Sequence, residues 1–185
     1  GKVCTIFLRK GLKWSDGTPF TTEDCRYFWE DMANNPDISP SGVPAWLKVA
    51  GEGPQVVFID AYTIRLTWNK VNKTLMDNLS GSMGYDFWKP KHYMKQFHAK
   101  YADKAKLDQM VADAKFKTWA ELFASKKNQA ENPDRPGMAA WIPTSRVSDP
   151  VLILKRNPYY VGVDEKGNQL PYIDEIDMLF FADAQ

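Results

Sequence analysis

The stretch RKGLKWSDGTPFTTEDCRYFWEDM, residues 9–32, carries most of what this sequence says about its fold. It runs from a basic strand end through a tight turn into an amphipathic helix. Residues 3–9, VCTIFLR, are β-rich and read as a strand, and Ser15-Asp16-Gly17 with Pro19 reads as the turn that ends it. Thr21 or Thr22 can cap the helix that follows, and Glu23 and Asp24 put negative charge in its first turn, where the helix dipole favours it. Cys25, Phe28, Trp29 and Met32 recur at i, i+3, i+4, i+7, the spacing of one buried face, so the helix is expected over 22–33. One threonine is expected to cap it, and the other to matter much less. No nucleophile, metal cluster or phosphate loop lies in the stretch, so its local order fixes how a strand hands over to a helix.

Working outward, residues 34–55 are rich in Pro, Gly, Ser and Asn and lack periodicity. They read as a long surface segment with one helical turn at 45–49, and loops of this length inside compact domains are often functional. VVFIDAYTIRLTW, residues 56–68, reads as a hairpin about Asp60-Ala61, with Tyr62, Ile64, Leu66 and Trp68 alternating onto one face. Helical patterns follow at 71–79, 90–98 and 103–115, and Thr118 with Glu121 opens another in the capping-box arrangement. Residues 126–150 read as loop. The strands VLILKR and IDEIDMLFF close the sequence. The expected fold class is α/β, in the sense of a mixed α+β chain, with the hairpin in one sheet and the last two strands in a second. The chain starts almost inside one strand and stops near the end of another, so an excised piece of a longer protein is expected.

Composition excludes several classes. Across 185 residues the apolar content is 44%, the charged content 25% and the net charge +1, which leaves no electrostatic footprint for nucleic acid or an anionic membrane surface. No apolar run approaches the roughly 18 residues of a membrane helix. Seven Trp, eight Tyr and ten Phe stand out, because large aromatics fill cores and also serve as platforms for sugar rings and apolar peptide side chains. Cys4 alternates with Ile6 and Leu8 along the first strand, and Cys25 lies on the buried helix face. The reading favours two buried free thiols, with a disulfide between them as the alternative.

The sequence offers little for catalysis. His92 and His98 are six apart, a spacing that does not align on one helix face, so no metal site is expected from them. Ser80 and Ser82 in LSGSMG miss the nucleophile-elbow pattern. DEKGN at 164–168 resembles a calcium loop only faintly and reads as a Gly-Asn turn. Asp174, Glu175 and Asp177 could supply the carboxylate pair of a glycoside hydrolase, but in an alternating strand they read as its solvent face. No catalytic residue, metal or cofactor is expected, and a binding module is preferred to an enzyme. The candidate ligand contacts are Trp46 in the 34–50 loop, with Tyr85 and Trp88 in GSMGYDFW, where glycine and aromatics mix as at pocket rims.

Two stretches carry a resemblance. TIFLRKGLKWSDGTPFTTEDCRYFWE resembles the signature region of the extracellular solute-binding proteins of family five, the oligopeptide-, dipeptide- and nickel-binding receptors of bacterial ABC importers. LKRNPYYVGVDEKGNQLPYIDEID is similar to the stretch those proteins carry before their other lobe, and PKHYMKQFHAKYAD, TWAELFA and NPDRPGMAAWIP agree with one branch of long chains. Val161 departs from the pattern, which places an aromatic, usually Trp, after RNPYY. The resemblance implies a fragment of a two-lobed periplasmic-binding-protein type II fold, with residues 1–95 as a small extra subdomain and 96–185 as part of the first lobe. It further implies a non-catalytic, monomeric, periplasmic or extracellular receptor, lipoprotein-anchored in some full-length forms, that hands an oligopeptide or other small solute to membrane permease subunits. Capture of an oligosaccharide is the alternative within the family, and nickel or haem capture is disfavoured by the two histidines. The signature itself then sets scaffold geometry and need not touch ligand.

Overall fold

The computed structural model describes residues 1–81 and 86–180. It divides the chain into two compact units: Gly1–Gly11 with Phe20–Lys91, and Leu12–Pro19 with the chain from His92 on.

The first unit is built on a three-stranded antiparallel sheet of β1 (Val3–Phe7), β2 (Gln55–Asp60) and β3 (Thr63–Thr67), in the order β1-β3-β2. The 56–68 hairpin is therefore paired as its alternation requires, and Ile64 and Leu66 of β3 are 0% and 1% exposed. Its turn falls one residue later than the sequence suggests. Asp60 pairs with Thr63, so Ala61 and Tyr62 form the turn, and the register shifts between Phe58 and Asp60. Tyr62 thus leaves the strand face, while Trp68, just past β3, is buried with its indole Nε1 donating to the Leu47 carbonyl at 2.7 Å.

Helix α1 (Thr22–Arg26) starts where the capping signal places it. Thr21 is the cap: its hydroxyl accepts from the Glu23 amide at 3.3 Å, and the Asp24 carboxylate accepts in return from the Thr21 amide at 3.2 Å. Beyond Arg26 the helix widens into a π-helical stretch, Tyr27–Ala33. Because π-helical hydrogen bonds reach i→i+5, the buried stripe broadens. Cys25, Phe28 and Met32 are buried as their spacing implies, but Tyr27 joins them and Trp29 is only half-buried.

Thr22 corrects the expectation that the second threonine matters little. It is buried, and its hydroxyl donates to the Asp60 carbonyl at 2.7 Å, fastening the helix start to the hairpin turn, while its amide donates to the Ala61 carbonyl at 2.9 Å. Thr21→Ala is expected to cost about 1 kcal/mol through loss of the cap. Thr22→Ala is expected to cost about the same through loss of a partly buried hydrogen bond. Urea unfolding of the two variants checks both values; a neutral Thr22→Ala would show that the hydroxyl fastens nothing.

After β3 comes a short helix, α2 (Leu75–Ser80), which begins later than the pattern at 71–79 implies. Asn72 explains the delay: its side-chain oxygen accepts from the Thr74 amide, a local bond that competes with helical continuation. The 90–98 pattern likewise yields only α3 (Lys91–Met94) and a 3-10 turn at Lys95–Phe97.

In the second unit, α4 (Lys104–Asp113) is capped by Asp103, whose carboxylate accepts from the Lys106 amide at 3.0 Å. Helix α5 (Trp119–Lys127) has the expected box, with the Glu121 amide donating to the Thr118 hydroxyl at 3.2 Å and the Glu121 carboxylate accepting from the Thr118 amide at 3.3 Å. It buries Leu122 and Phe123. A second antiparallel sheet runs β4-β5-β6, formed by Trp141–Pro143, Val151–Arg156 and Glu175–Leu179. The last two strands are those expected from the sequence. β4 lies inside the stretch read as loop, where three residues ending in proline give too short a pattern to detect.

The turn of the signature stretch also belongs to this second unit. It is a tight hairpin closed by Trp14 donating to the Thr18 carbonyl at 2.8 Å, with Gly17 at φ +86°, a left-handed backbone that favours glycine. Ser15 and Gly137 exchange bonds, amide to carbonyl at 2.9 Å and amide to hydroxyl at 3.1 Å. Trp14 is 2% exposed.

Candidate functional site

The Pro/Gly-rich loop brings Trp46 to the first unit's aromatic cluster. Pro44 precedes a single 3-10 turn, Ala45–Leu47, and that turn is anchored twice. The Leu47 carbonyl takes the Trp68 indole bond described above, and the Trp46 carbonyl accepts from the Asn78 side-chain amide at 3.3 Å. The Trp46 ring, half-buried, then meets the ring of Phe87 edge-on at 6.4 Å. Phe87 is 2% exposed and lies 5.8 Å from Phe28 on the π-helical stretch, so Phe28, Phe87 and Trp46 form a row running outward from the core. Trp88, the next residue, is also half-buried and stands edge-on to Phe20 at 6.0 Å. Trp46 therefore rests against Phe87 and Trp88 against Phe20. Tyr85, the third candidate, lies outside the described residues.

Segment 86–91 is gripped from below by the first turn of α1. Asp24, buried, accepts from the Lys91 amide at 3.1 Å with one carboxylate oxygen while the other completes the capping box, and its carbonyl accepts from the Lys89 amide at 3.4 Å. Glu23 accepts from the Lys91 ammonium at 2.8 Å, and that partner is the main reason the Glu23 carboxyl sits below the usual carboxylate range. Buried Lys89 donates to Asp86 at 2.9 Å. The sequence gives no sign of this grip, because the partners are more than sixty residues apart.

The residues weighed for catalysis have other partners. His92 is hydrogen-bonded to Asp16 at 2.7 Å. Burial works to raise the Asp16 carboxyl, but bonds from Thr18 and His92 outweigh it and hold the group low. His98 is buried among Trp119, Phe123 and Tyr101, its Nδ1 accepting from the Lys100 amide at 3.1 Å. The Ser80 hydroxyl donates to its own helix at the Asp77 carbonyl. Asp174 and Glu175 are exposed and paired with Arg156 and Lys155, as a strand's solvent face would be. Asp164 gathers bonds from Tyr172, Asn168 and the Lys166 amide, which hold its carboxyl down to about 2 and make DEKGN a turn. Cys4 and Cys25 are free thiols; burial pushes both up, Cys25 strongly, and leaves them poor nucleophiles. Among the described residues, no three His, Cys, Asp or Glu side chains could share a metal ion, and no helix is long and apolar enough to cross a membrane.

This arrangement leaves two indoles of the first unit half-exposed beside buried aromatic rings. The family model for the bacterial extracellular solute-binding proteins, family 5 Middle, matches residues 1–185, and the chain belongs to that family. It is 34% identical over 180 residues to the periplasmic alpha-galactoside-binding protein of Rhizobium meliloti (strain 1021), covering 95% of this chain and 23% of that protein. Among solved structures, one titled oligopeptide-binding protein OppA superposes with a TM-score of 0.86 at 34% identity, covering 99% of this chain and 28% of that one. The periplasmic binding protein MelB from agrobacterium fabrum C58, in complex with stachyose, gives a TM-score of 0.71 at 33% identity over 98% of this chain and 25% of that one. The chain thus spans about a quarter of the length of the relatives it matches.

Proposed function

We propose that this chain is part of the solute-capturing receptor of an ABC importer, and that the solute is a neutral oligosaccharide of the alpha-galactoside class. In this reading residues 1–95 supply the small extra subdomain and 96–185 part of the first lobe. The receptor is non-catalytic, works as a monomer outside the cytoplasm, and passes its solute to membrane permease subunits.

The observation that carries the reading is the pair of half-buried indoles, Trp46 and Trp88, each packed edge-on against a phenylalanine ring of the first unit. Sugar rings have apolar faces that stack on such surfaces without needing a charge partner. Two relatives at 33–34% identity over nearly the whole chain carry alpha-galactoside or stachyose in their names. A second reading, capture of an oligopeptide, is favoured by the OppA likeness at a TM-score of 0.86.

Trp46→Ala tests the site in the full-length receptor. Truncating a central aromatic anchor costs about 2 kcal/mol of binding, so stachyose affinity is expected to fall about thirtyfold while the fold persists. Calorimetric affinity within twofold of the unaltered receptor would remove Trp46 from the site.

A further inference from the structure

We infer that Asp24 is a positioning residue for the solute site: it holds segment 86–91, and with it the rings of Phe87 and Trp88, in the place the ligand requires. The inference rests on the aromatic site proposed above. It gives the signature stretch a role in binding, exercised through another segment.

The geometry is specific. The Asp24 carboxylate divides its oxygens between two donors that have no common structural reason to meet: the Thr21 amide three residues back, and the Lys91 amide 67 residues on. The residue is 5% exposed and both bonds are partly buried, and hydrogen bonds to a charged group are stronger than neutral ones. Its backbone carbonyl takes the Lys89 amide as well. The backbone amides of residues 89 and 91 are therefore both held by Asp24, beside the Glu23 bond to the Lys91 ammonium. The aromatic residues Trp88 and Phe87 are one and two positions before Lys89 in the same segment. Phe87 lies against Phe28 of the same helix, and Trp88 against Phe20, just before its cap. The stretch from Phe20 to Phe28 is thus the bed of segment 86–91, and Asp24 is its polar fastening. A ligand site made of rings on a loop needs such support, because a side chain displaced by about an ångström loses its contact.

Two variants of the full-length receptor separate positioning from stability. Asp24→Asn leaves a side chain with one accepting oxygen for two amide donors. Thr21→Ala deletes the cap hydroxyl but keeps the backbone amide that Asp24 binds, so it lowers stability and leaves the grip intact. Hydrogen exchange of the peptide covering 86–94 and calorimetry with stachyose and with a tetrapeptide are the readouts. Asp24→Asn is expected to speed exchange at Lys89 and Lys91 and to weaken binding of whichever probe the receptor takes by about tenfold. Thr21→Ala is expected to leave both within twofold. Should Asp24→Asn fail to fold, Asp24→Glu keeps the box, for which Glu is the usual residue, and displaces the oxygen from Lys91; it should give the same two changes. Unchanged exchange at 86–94, or faster exchange with affinity within twofold, overturns the inference. If the unaltered receptor binds neither probe, the solute reading falls, and the exchange result alone decides whether Asp24 fixes the segment.

Discussion

Phe87→Ala is expected to destabilise the first unit by about 3–5 kcal/mol, the range for removing a large buried aromatic ring. Phe87 is the middle ring of the row, buried, with Phe28 on one side and Trp46 on the other. Its neighbours cannot easily close the gap. Phe28 stands on a helix fastened to the sheet by the Thr22 bonds, and Trp46 on a turn pinned at two carbonyls. The cavity therefore persists, and two aromatic contacts, one tilted and one edge-on, are lost with it. In urea the transition midpoint should fall with the slope unchanged. Phe7→Ala is the control: that ring is 75% exposed, and its loss should change little. A cost below about 1 kcal/mol for Phe87→Ala would mean that the row does not support the loop that carries Trp46.

The second large effect concerns the chain by itself. The 185 residues are expected to bind stachyose or a tetrapeptide at least a hundredfold more weakly than a receptor carrying the rest of the family's length. Enclosed sites bury most of a ligand's surface, and the chain spans about a quarter of its relatives. With the remaining contacts gone, a ligand held at about 8 kcal/mol that loses a third of that energy weakens about a hundredfold, since each 1.4 kcal/mol is a factor of ten. Calorimetry of both proteins side by side gives the comparison. Equal affinity would place a complete pocket within these residues.

The parts of the fold legible in the sequence were those governed by near neighbours. Alternation along residues 63–68 located a strand with Ile64 and Leu66 inward, and the Thr118–Glu121 spacing located a helix start. The signature turn could be read directly, and the helix start to within two adjacent threonines, because glycine, proline and threonine act on their own backbone. Long-range partners were not legible. Nothing near Thr22 announces the Asp60 carbonyl 38 residues away, and Asp24 read only as a charge at a helix N-terminus. The widening after Arg26 was hidden as well, since Cys25, Phe28, Trp29 and Met32 fit an ordinary helix equally well. For the candidate site, the mix of glycine and aromatics singled out Trp46, Tyr85 and Trp88, but the rings that Trp46 and Trp88 rest on are Phe87 and Phe20, to which the sequence assigned no role, with Phe28 behind Phe87 read as part of the buried helix face. Burial alone does not tell a supporting ring from a filling one.

Calorimetric titration of the full-length receptor with stachyose and, separately, with a tetrapeptide tests the central claim most directly. Stachyose is expected to bind with a micromolar or tighter dissociation constant and to be recovered unchanged, with the tetrapeptide at least a hundredfold weaker. Tight binding of the tetrapeptide with no heat from stachyose, or cleavage of either one, would contradict the account.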